Sequence, residues 1–348
     1  MSIRFTWNSR TGATLIAVAA LLLAGCASSS GAGTAQANRP PGTISSTVPP
    51  GTTLRVADQQ QLLEQLFAVS GSKVPGVKLD YSNFVGGPPM LQAFKAGAVD
   101  VGFVASTPLI FAQAAHQAVV GVAAWTTPHS SFVLVTAPGV SGIHSWSDLK
   151  GKKVAYQQGT AFESVLLQGL DGAGLSLKDV EGVNLPYNQI TAALAGGSVQ
   201  AGILSAPTST AYVAQNPSAS IVLHTTDITT RTTFLIASNA ALADPAKSAA
   251  IAQYLRTLVS AYSWVNAHPA VWAKAYYVDQ FKLPLALGEK LLADNGNASF
   301  EPLPGAYVEP QQALADLYVK AGEIPTKLDA SNEFVDTYDA TVRQAQAS

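Results

Sequence analysis

Residues 93-AFKAGAVDVGFVAS-106 and 193-ALAGGSVQAGILSA-206 lie 100 positions apart and can be laid over one another. Ala93 and Ala193, Gly97 and Gly197, Val99 and Val199, and Gly102 and Gly202 coincide. In each segment an Ala-rich helix stops at a glycine near its C-cap, and a strand rich in small and β-branched residues follows. Chance similarity between Ala-rich joints is one reading. The other is a single α/β unit used twice, and the surrounding order favours it, because each segment is preceded by strand, helix and strand. The runs 54-LRVA-57, 77-VKLDYSNF-84, 99-VDVGFVA-105 and 119-VVGVAAW-125 form one set of predicted strands. The runs 132-FVLVTA-137, 153-KVAY-156, 183-VNLPY-187, 199-VQAGILSA-206 and 220-SIVLH-224 form a second set. A last run, 233-TFLIAS-238, precedes a long helical tail. Alternation of strands with helical patterns marks an α/β chain. The expected organisation is one lobe from 53–128 plus 232–348 and another from 129–231, with hinges near 126–131 and 225–232.

Composition narrows the function classes. Of the 348 residues, 48% are hydrophobic and only 12% charged, which is incompatible with a disordered chain. Twenty basic and 22 acidic residues give a net charge of −2, so nothing points to nucleic-acid binding. One cysteine, Cys26, excludes a disulfide framework and a cysteine-cluster metal site. The five histidines are scattered without a helical pair at ligand spacing, so no metal is expected.

Residues 1–25 read as an export signal. Arg4 and Arg10 flank or precede 13-ATLIAVAALLLA-24, an apolar run of signal-peptide length and too short to span a bilayer. The run ends in Leu23-Ala24-Gly25-Cys26, which resembles a bacterial lipobox; cleavage would leave Cys26 as a lipidated N-terminus. A fortuitous small-residue cleavage site is the alternative. Residues 26–52, rich in Ser, Gly, Thr and Pro, read as a flexible tether to a membrane surface.

Open α/β sheets bind ligands at the carboxyl ends of their strands, so two facing lobes define one cleft. Contacts to both lobes would favour the closed form. Candidate contacts are the strand-to-helix turns, where unpaired backbone N–H groups meet a ligand. Asp58 is either an N-cap or a ligand contact. In 85-VGGPPM-90, Gly86 and Gly87 allow close backbone approach or make a tight turn. Ser106 and Thr107 either cap a helix or donate to a ligand oxygen. The most informative turn is 157-QQGTAFE-163, where Thr160 and Glu163 have capping-box spacing and Gln158, Gly159, Thr160 and Ala161 would face the cleft. Tyr187 and the 205-SAPTS-209 turn are equivalent positions later in the second lobe. Trp125 and Arg231 flank the expected hinges; each is a ligand contact or, respectively, core packing and an exposed arginine. Trp146, Trp264 and Trp272 read as ordinary packing.

No Gly-x-Ser-x-Gly, phosphate-loop, His-Glu-x-x-His or dinucleotide glycine motif is present, which argues against an enzyme. The segments Phe84-Val85-Gly86-Gly87-Pro88, 106-STPLIFAQAA-115, 147-SDLKGKKVA-155 with Gly159-Thr160, and 311-QQALADLYVKAGEIP-325 resemble lipoprotein substrate-binding proteins of ABC importers, of the aliphatic sulfonate/taurine/nitrate type. The resemblance spans about residues 54–336. It implies a type II periplasmic-binding fold, no catalysis, no cofactor, and C-terminal helices that return to the first lobe. It also implies an anionic head group held by uncharged donors, here Gln59, Gly86, Gly87, Ser106, Thr107 and Gln158 to Ala161, with a small-molecule ligand, a permease dimer and ATPase subunits as partners.

Two positions depart from the pattern. Ser106 stands where glutamate is frequent, and Ala206 where an acid often follows the second-lobe strand; alanine removes a partner for an amine-bearing ligand. A sulfonate, another small organosulfur or anionic compound, or a neutral aromatic molecule remains open, with Trp125 and Phe103 against its apolar part. Rival readings are a sensor or scaffold lipoprotein on the same fold, and a pyrimidine-precursor-synthase-like enzyme using His129.

Overall fold

The apolar runs assemble into two mixed sheets. The computed structural model describes residues 44, 45, 47–128, 132–224 and 232–347. Its strands are β1 (Thr52–Gln59), β2 (Val77–Phe84), β3 (Val101–Ala105), β4 (Val119–Thr126), β5 (Phe132–Thr136), β6 (Lys153–Tyr156), β7 (Glu181–Asn184), β8 (Ala201–Ser205), β9 (Ile221–His224), β10 (Thr232–Ser238) and β11 (Ser299–Glu301). The helices are α1 (Leu62–Ser70), α2 (Gly87–Lys95), α3 (Ser106–Ala114), α4 (Ala161–Gly172), α5 (Tyr187–Ala195), α6 (Ala206–Gln215), α7 (Asn239–Ala243), α8 (Pro245–Ala267), α9 (Pro269–Trp272), α10 (Leu285–Asn295), α11 (Val308–Ala321) and α12 (Asp339–Gln346).

The first sheet has the order β11-β4-β10-β3-β1-β2 and the second β7-β6-β8-β5-β9. Apart from the added edge strand β11, the two orders match: β2, β1, β3, β10 and β4 correspond to β7, β6, β8, β5 and β9. In both, the first three strands run parallel and the fourth and fifth complete an antiparallel ladder. Mixed sheets with helices on both faces, in two lobes, make this a type II periplasmic-binding fold.

The repeat extends to single hydrogen bonds. Asp100 N–H donates to Arg55 O, and Arg55 N–H donates to Asp100 Oδ2, both at 2.9 Å. One hundred positions on, Gln200 N–H donates to Lys153 O at 2.9 Å and Lys153 N–H to Gln200 Oε1 at 2.6 Å. Gly97 and Gly197 take left-handed φ of 66° and 68° and end α2 and α5, as the sequence pattern predicts. Gly102 and Gly202 pair with Ala57 and Ala155; a Cβ at Gly102 would sit 2.8 Å from that of Ala57, so only glycine lets β1 and β3 close up. Asp100 has diverged further than Gln200, because its carboxylate also binds Arg55 Nη2 at 2.6 Å and Lys247 Nζ at 2.7 Å, pinning α8 to the sheet.

Some expectations change. The run 183-VNLPY-187 is not all strand: β7 starts two residues earlier and Pro186, unable to donate to a ladder, leads into α5. The helical tail is interrupted by β11 and by a π-helix at Ala273–Val278. The end of the expected tether is not free, since Ile44 and Val48 pack on the first-lobe core. The chain passes between sheets after β4 and after β9, and the expected hinges lie mostly outside the described residues, as do Cys26, His129 and Arg231.

The tail does return to the first lobe, where α8 packs on β1 and α12 packs on α8. Helix α11 does more. Its Leu314, Ala315 and Tyr318 form one apolar cluster with Ile110 of α3 and Leu167 of α4, so it spans the seam between the lobes.

Candidate ligand-binding site

A cavity of about 320 Å³ lies between the carboxyl ends of the two sheets, within the size range of small-molecule sites. Two glycine turns meet above it. Gly86 precedes α2 at φ 91°, and a Cβ there would come within 3.1 Å of Gln157 Nε2 in the other lobe. Gly159, at φ 71°, faces Pro88 in the same manner, its would-be Cβ 3.2 Å from Pro88 Cγ. Gln157 bridges the lobes: its Nε2 donates to Val85 O at 3.3 Å while its Oε1 accepts from Tyr187 N–H at 3.0 Å. The lobes are therefore in contact, and bulk at either glycine would hold them apart.

The helices α2, α4 and α5 begin at this rim; Pro88 and Pro89 bring no N–H, and those of Phe162 and Tyr187 are held by Thr160 and Gln157, so Gly87 and Ala161 supply the first-turn N–H groups beside the cavity. Thr160 is the N-cap of α4: its Oγ1 accepts from Phe162 N–H at 3.2 Å and donates to Gln157 O at 2.6 Å. The expected capping box is shifted by one residue. Glu163 Oε2 accepts from Gly159 N–H at 2.9 Å, which fixes the turn rather than the cap.

Of the residues singled out from sequence, Gln59, Gly86, Gly87, Trp125, Thr160, Ala161 and Tyr187 line the cavity, with Phe103. Five others are directed elsewhere. Asp58, 1% exposed, accepts from the N–H groups of Gln59, Leu63 and Glu64 and thereby holds the start of α1. Burial raises its pKa and those three donors oppose the rise. Helix α3 begins one residue earlier than the hydroxyl-cap reading, with Ala105 as N-cap. Thr107 is consequently buried against Tyr318, hydroxyl to hydroxyl at 3.0 Å, and Ser106 lies under α11, its carbonyl accepting from Gln311. Gln158 points outward, where its Nε2 donates to Glu323 Oε2 at 2.7 Å. Gly159 uses its N–H on Glu163. Arg231 lies outside the described residues.

The sequence reading missed Gln157 and most of the aromatic wall. Gln157 is one residue from the glutamine expected, and the alternation of β6 decides which of the pair turns inward. In the second lobe Phe132, Phe162 and Tyr187 line the cavity, the last two stacked at 5.9 Å and 4°. In the first lobe the helical tail supplies Tyr262, Trp272, Tyr276, Tyr277 and Phe281. Trp272, expected as plain packing, stacks on Tyr276 at 5.0 Å and shares the wall. Trp146 and Trp264 stay structural: Trp146 packs on Gly169 of α4, and Trp264 stacks on His268.

Among the described lining residues none is Asp, Glu, Lys, Arg or His. The tyrosines are held as neutral phenols: desolvation raises Tyr187, pushes Tyr277 up to about 12 and raises Tyr262 and Tyr276 further. The described lining thus offers neutral donors and ring surface, with no charged side chain. Among the described residues no group of three or more His, Cys, Asp or Glu could hold a metal ion.

Two facing α/β lobes with an interlobe cavity are the plan of a periplasmic-type solute-binding protein. Comparisons with known proteins sharpen this. A family profile described as NMT1/THI5 like matches residues 73–271, and the chain belongs to that family. An Escherichia coli (strain K12) protein named for binding aliphatic sulfonates is 27% identical over 274 residues, covering 79% of this chain and 82% of that one. The alkanesulfonate-binding protein SsuA from Xanthomonas axonopodis pv. citri, solved bound to MOPS, superposes with a TM-score of 0.74 at 26% identity, covering 82% of this chain and 99% of that one. The periplasmic aliphatic sulphonate binding protein SsuA from Escherichia coli gives 0.69 at 26% identity, covering 81% and 97%. No helix among the described residues is long and apolar enough to cross a membrane.

Proposed function

We propose that this chain is the solute receptor of an ABC importer, exported, anchored through a lipidated Cys26, and capturing a small sulfonate-like anion between its lobes for delivery to a permease and its ATPase. It is a binding protein and not an enzyme. The observation that carries the reading is the uncharged cavity closed by two facing glycine turns. Hydrogen bonds to an ionised acceptor are roughly twice as strong as neutral ones, so helix-start N–H groups and amides suffice to hold an anion without a counter-charge. No described lining residue is a carboxylate, which leaves an ammonium group without a partner there and disfavours amino-sulfonates. Relatives at 26–27% identity that cover about four-fifths of this chain are named for binding sulfonates, which supports the same head group.

A thermal-shift panel of sulfonates, nitrate and neutral organosulfur compounds tests it. A true ligand at 100 times its dissociation constant stabilises by about 2.7 kcal/mol. If no sulfonate moves the melting temperature and calorimetry is silent as well, the reading fails. Anchorage is tested separately: Cys26→Ala should release the protein from the membrane fraction, and retention there would refute lipidation at this residue.

A further inference from the structure

The cavity lining is richer in aromatic rings than a head-group site requires. One part of its lining, an aromatic arm supplied by β4 and the helical tail, consists of Trp125, Tyr262, Trp272, Tyr276, Tyr277 and Phe281. Trp125 and Tyr262 lie 5.5 Å apart at 45°; Trp272 and Tyr276 are stacked at 5.0 Å; Phe281 meets Tyr276 edge-on at 5.4 Å. We propose that this arm seats an aromatic group, so that the ligand is an aryl or arylalkyl sulfonate rather than a short alkanesulfonate; the proposal rests on the sulfonate reading above and narrows it.

Three observations carry it. First, the rings hold one another in offset and edge-on geometries, the arrangements that aromatic pairs prefer, so a further ring enters a surface already ordered to receive it. A methylene chain gains nothing from that geometry. It would also leave part of the arm unfilled, and walls without partner atoms forfeit their dispersion contacts. Second, the π-helix widens the backbone so that consecutive residues, Tyr276 and Tyr277, both reach the cavity; single π-turns of this kind occur frequently at functional sites. Third, no described side chain lining the arm is charged, so the group it takes is uncharged. Val265, Asn266, Leu292 and Gly296 line both the arm and a groove on the outer surface between α8 and α10. The wall there is one side chain thick, and a ring substituent of modest polarity would meet Asn266.

Isothermal titration of the full chain with 2-naphthalenesulfonate and 1-butanesulfonate tests the proposal. The aryl compound should bind at least tenfold more tightly, equivalent to about 1.4 kcal/mol. Leu292→Trp, which fills the arm at a partly exposed position, and Tyr276→Leu, which removes a ring, should each bring the affinity ratio close to one. Should one variant fail to fold, the other decides. Butanesulfonate binding as tightly as the aryl compound overturns the aromatic seat and leaves the sulfonate reading intact, as does a ratio that survives substitution. If neither sulfonate binds, the sulfonate reading itself has failed and the seat with it.

Discussion

Replacing Glu163 by glutamine should make the protein more stable at alkaline pH and leave it nearly unchanged in mild acid. Glu163 is fully buried at the start of α4. One carboxyl oxygen accepts from Gly159 N–H, the other has no hydrogen-bond partner, and the Tyr318 side chain and the Glu323 carboxylate lie nearby. Desolvation, with a smaller contribution from Glu323, raises the pKa from its ordinary 4.5 to about 7. A carboxyl whose folded pKa is raised holds its proton more tightly in the native state. Its contribution to stability is complete below pH 4.5, declines as pH rises through about 7, and is gone above it. The rise is worth about 3 kcal/mol at 1.36 kcal/mol per pH unit, most of it falling between pH 5 and 8. A glutamine amide can accept from Gly159 in the same place and never ionises. Urea unfolding of both proteins at pH 5 and pH 8 measures the difference. Glu333, which burial pushes up to about 8, is present in both proteins and cancels. Equal free energies for the two proteins at pH 8 would refute an ionisable, proton-holding Glu163.

Other perturbations separate closure from folding. Gly86→Ala places a methyl group 3.1 Å from Gln157 Nε2 at φ 91° and should weaken sulfonate binding at least tenfold by calorimetry; the left-handed strain alone costs about 1–2 kcal/mol. Unchanged affinity would remove this turn from the closing contact. Asp100→Ala should cost about 2–3 kcal/mol in urea unfolding, because Arg55 and Lys247 lose their shared carboxylate but still reach water, whereas the repeat-related Gln200→Ala should cost about 1 kcal/mol. Although desolvation opposes it, bonding to Arg55 and Lys247 holds Asp100 below the usual carboxylate range, so its contribution should persist in mild acid and vanish as pH falls through that lowered pKa. Equal costs at the two positions would contradict this. Trp125→Ala should destabilise by about 3–5 kcal/mol, since the indole packs on Phe103, Tyr262 and Phe300 as well as lining the cavity. A melting temperature within a degree of the parent would show that it is not structural.

The two-lobed plan was legible because duplication leaves paired signals. The helix-ending glycines 97 and 197 and the strand glycines 102 and 202 answer to the same steric demands in each lobe. The turns at Gly86 and Gly159 were legible for a related reason, since their left-handed φ of 91° and 71° favours glycine. What escaped was parity and distance. Whether Gln157 or Gln158 faces inward depends on a single step along β6, and composition carries no trace of it. Ser106 and Thr107 read as donors because nothing local reveals that α11, some 200 residues later, covers them. Trp272 reads as ordinary helix packing, as it would in any helix with a buried face, and nothing in the sequence pattern singles out Tyr262 or Tyr276. Only the fold, with the π-helix bringing adjacent tyrosines to the same wall, shows that part of that packing surface is left for a guest.

Helix α11 bears on how the empty receptor behaves. Its Tyr318 and Leu314 grip Leu167 across the seam, and burying one such leucine is worth about 1.5–3 kcal/mol. An opening that separated α11 from α4 would loosen that grip, and the seam would then act as a detent that biases the unloaded molecule toward shut. Affinity can then be tuned at residues that never touch the cargo: trimming Leu167 would relax the jaws and weaken capture, while tightening the fit there would raise it and slow release.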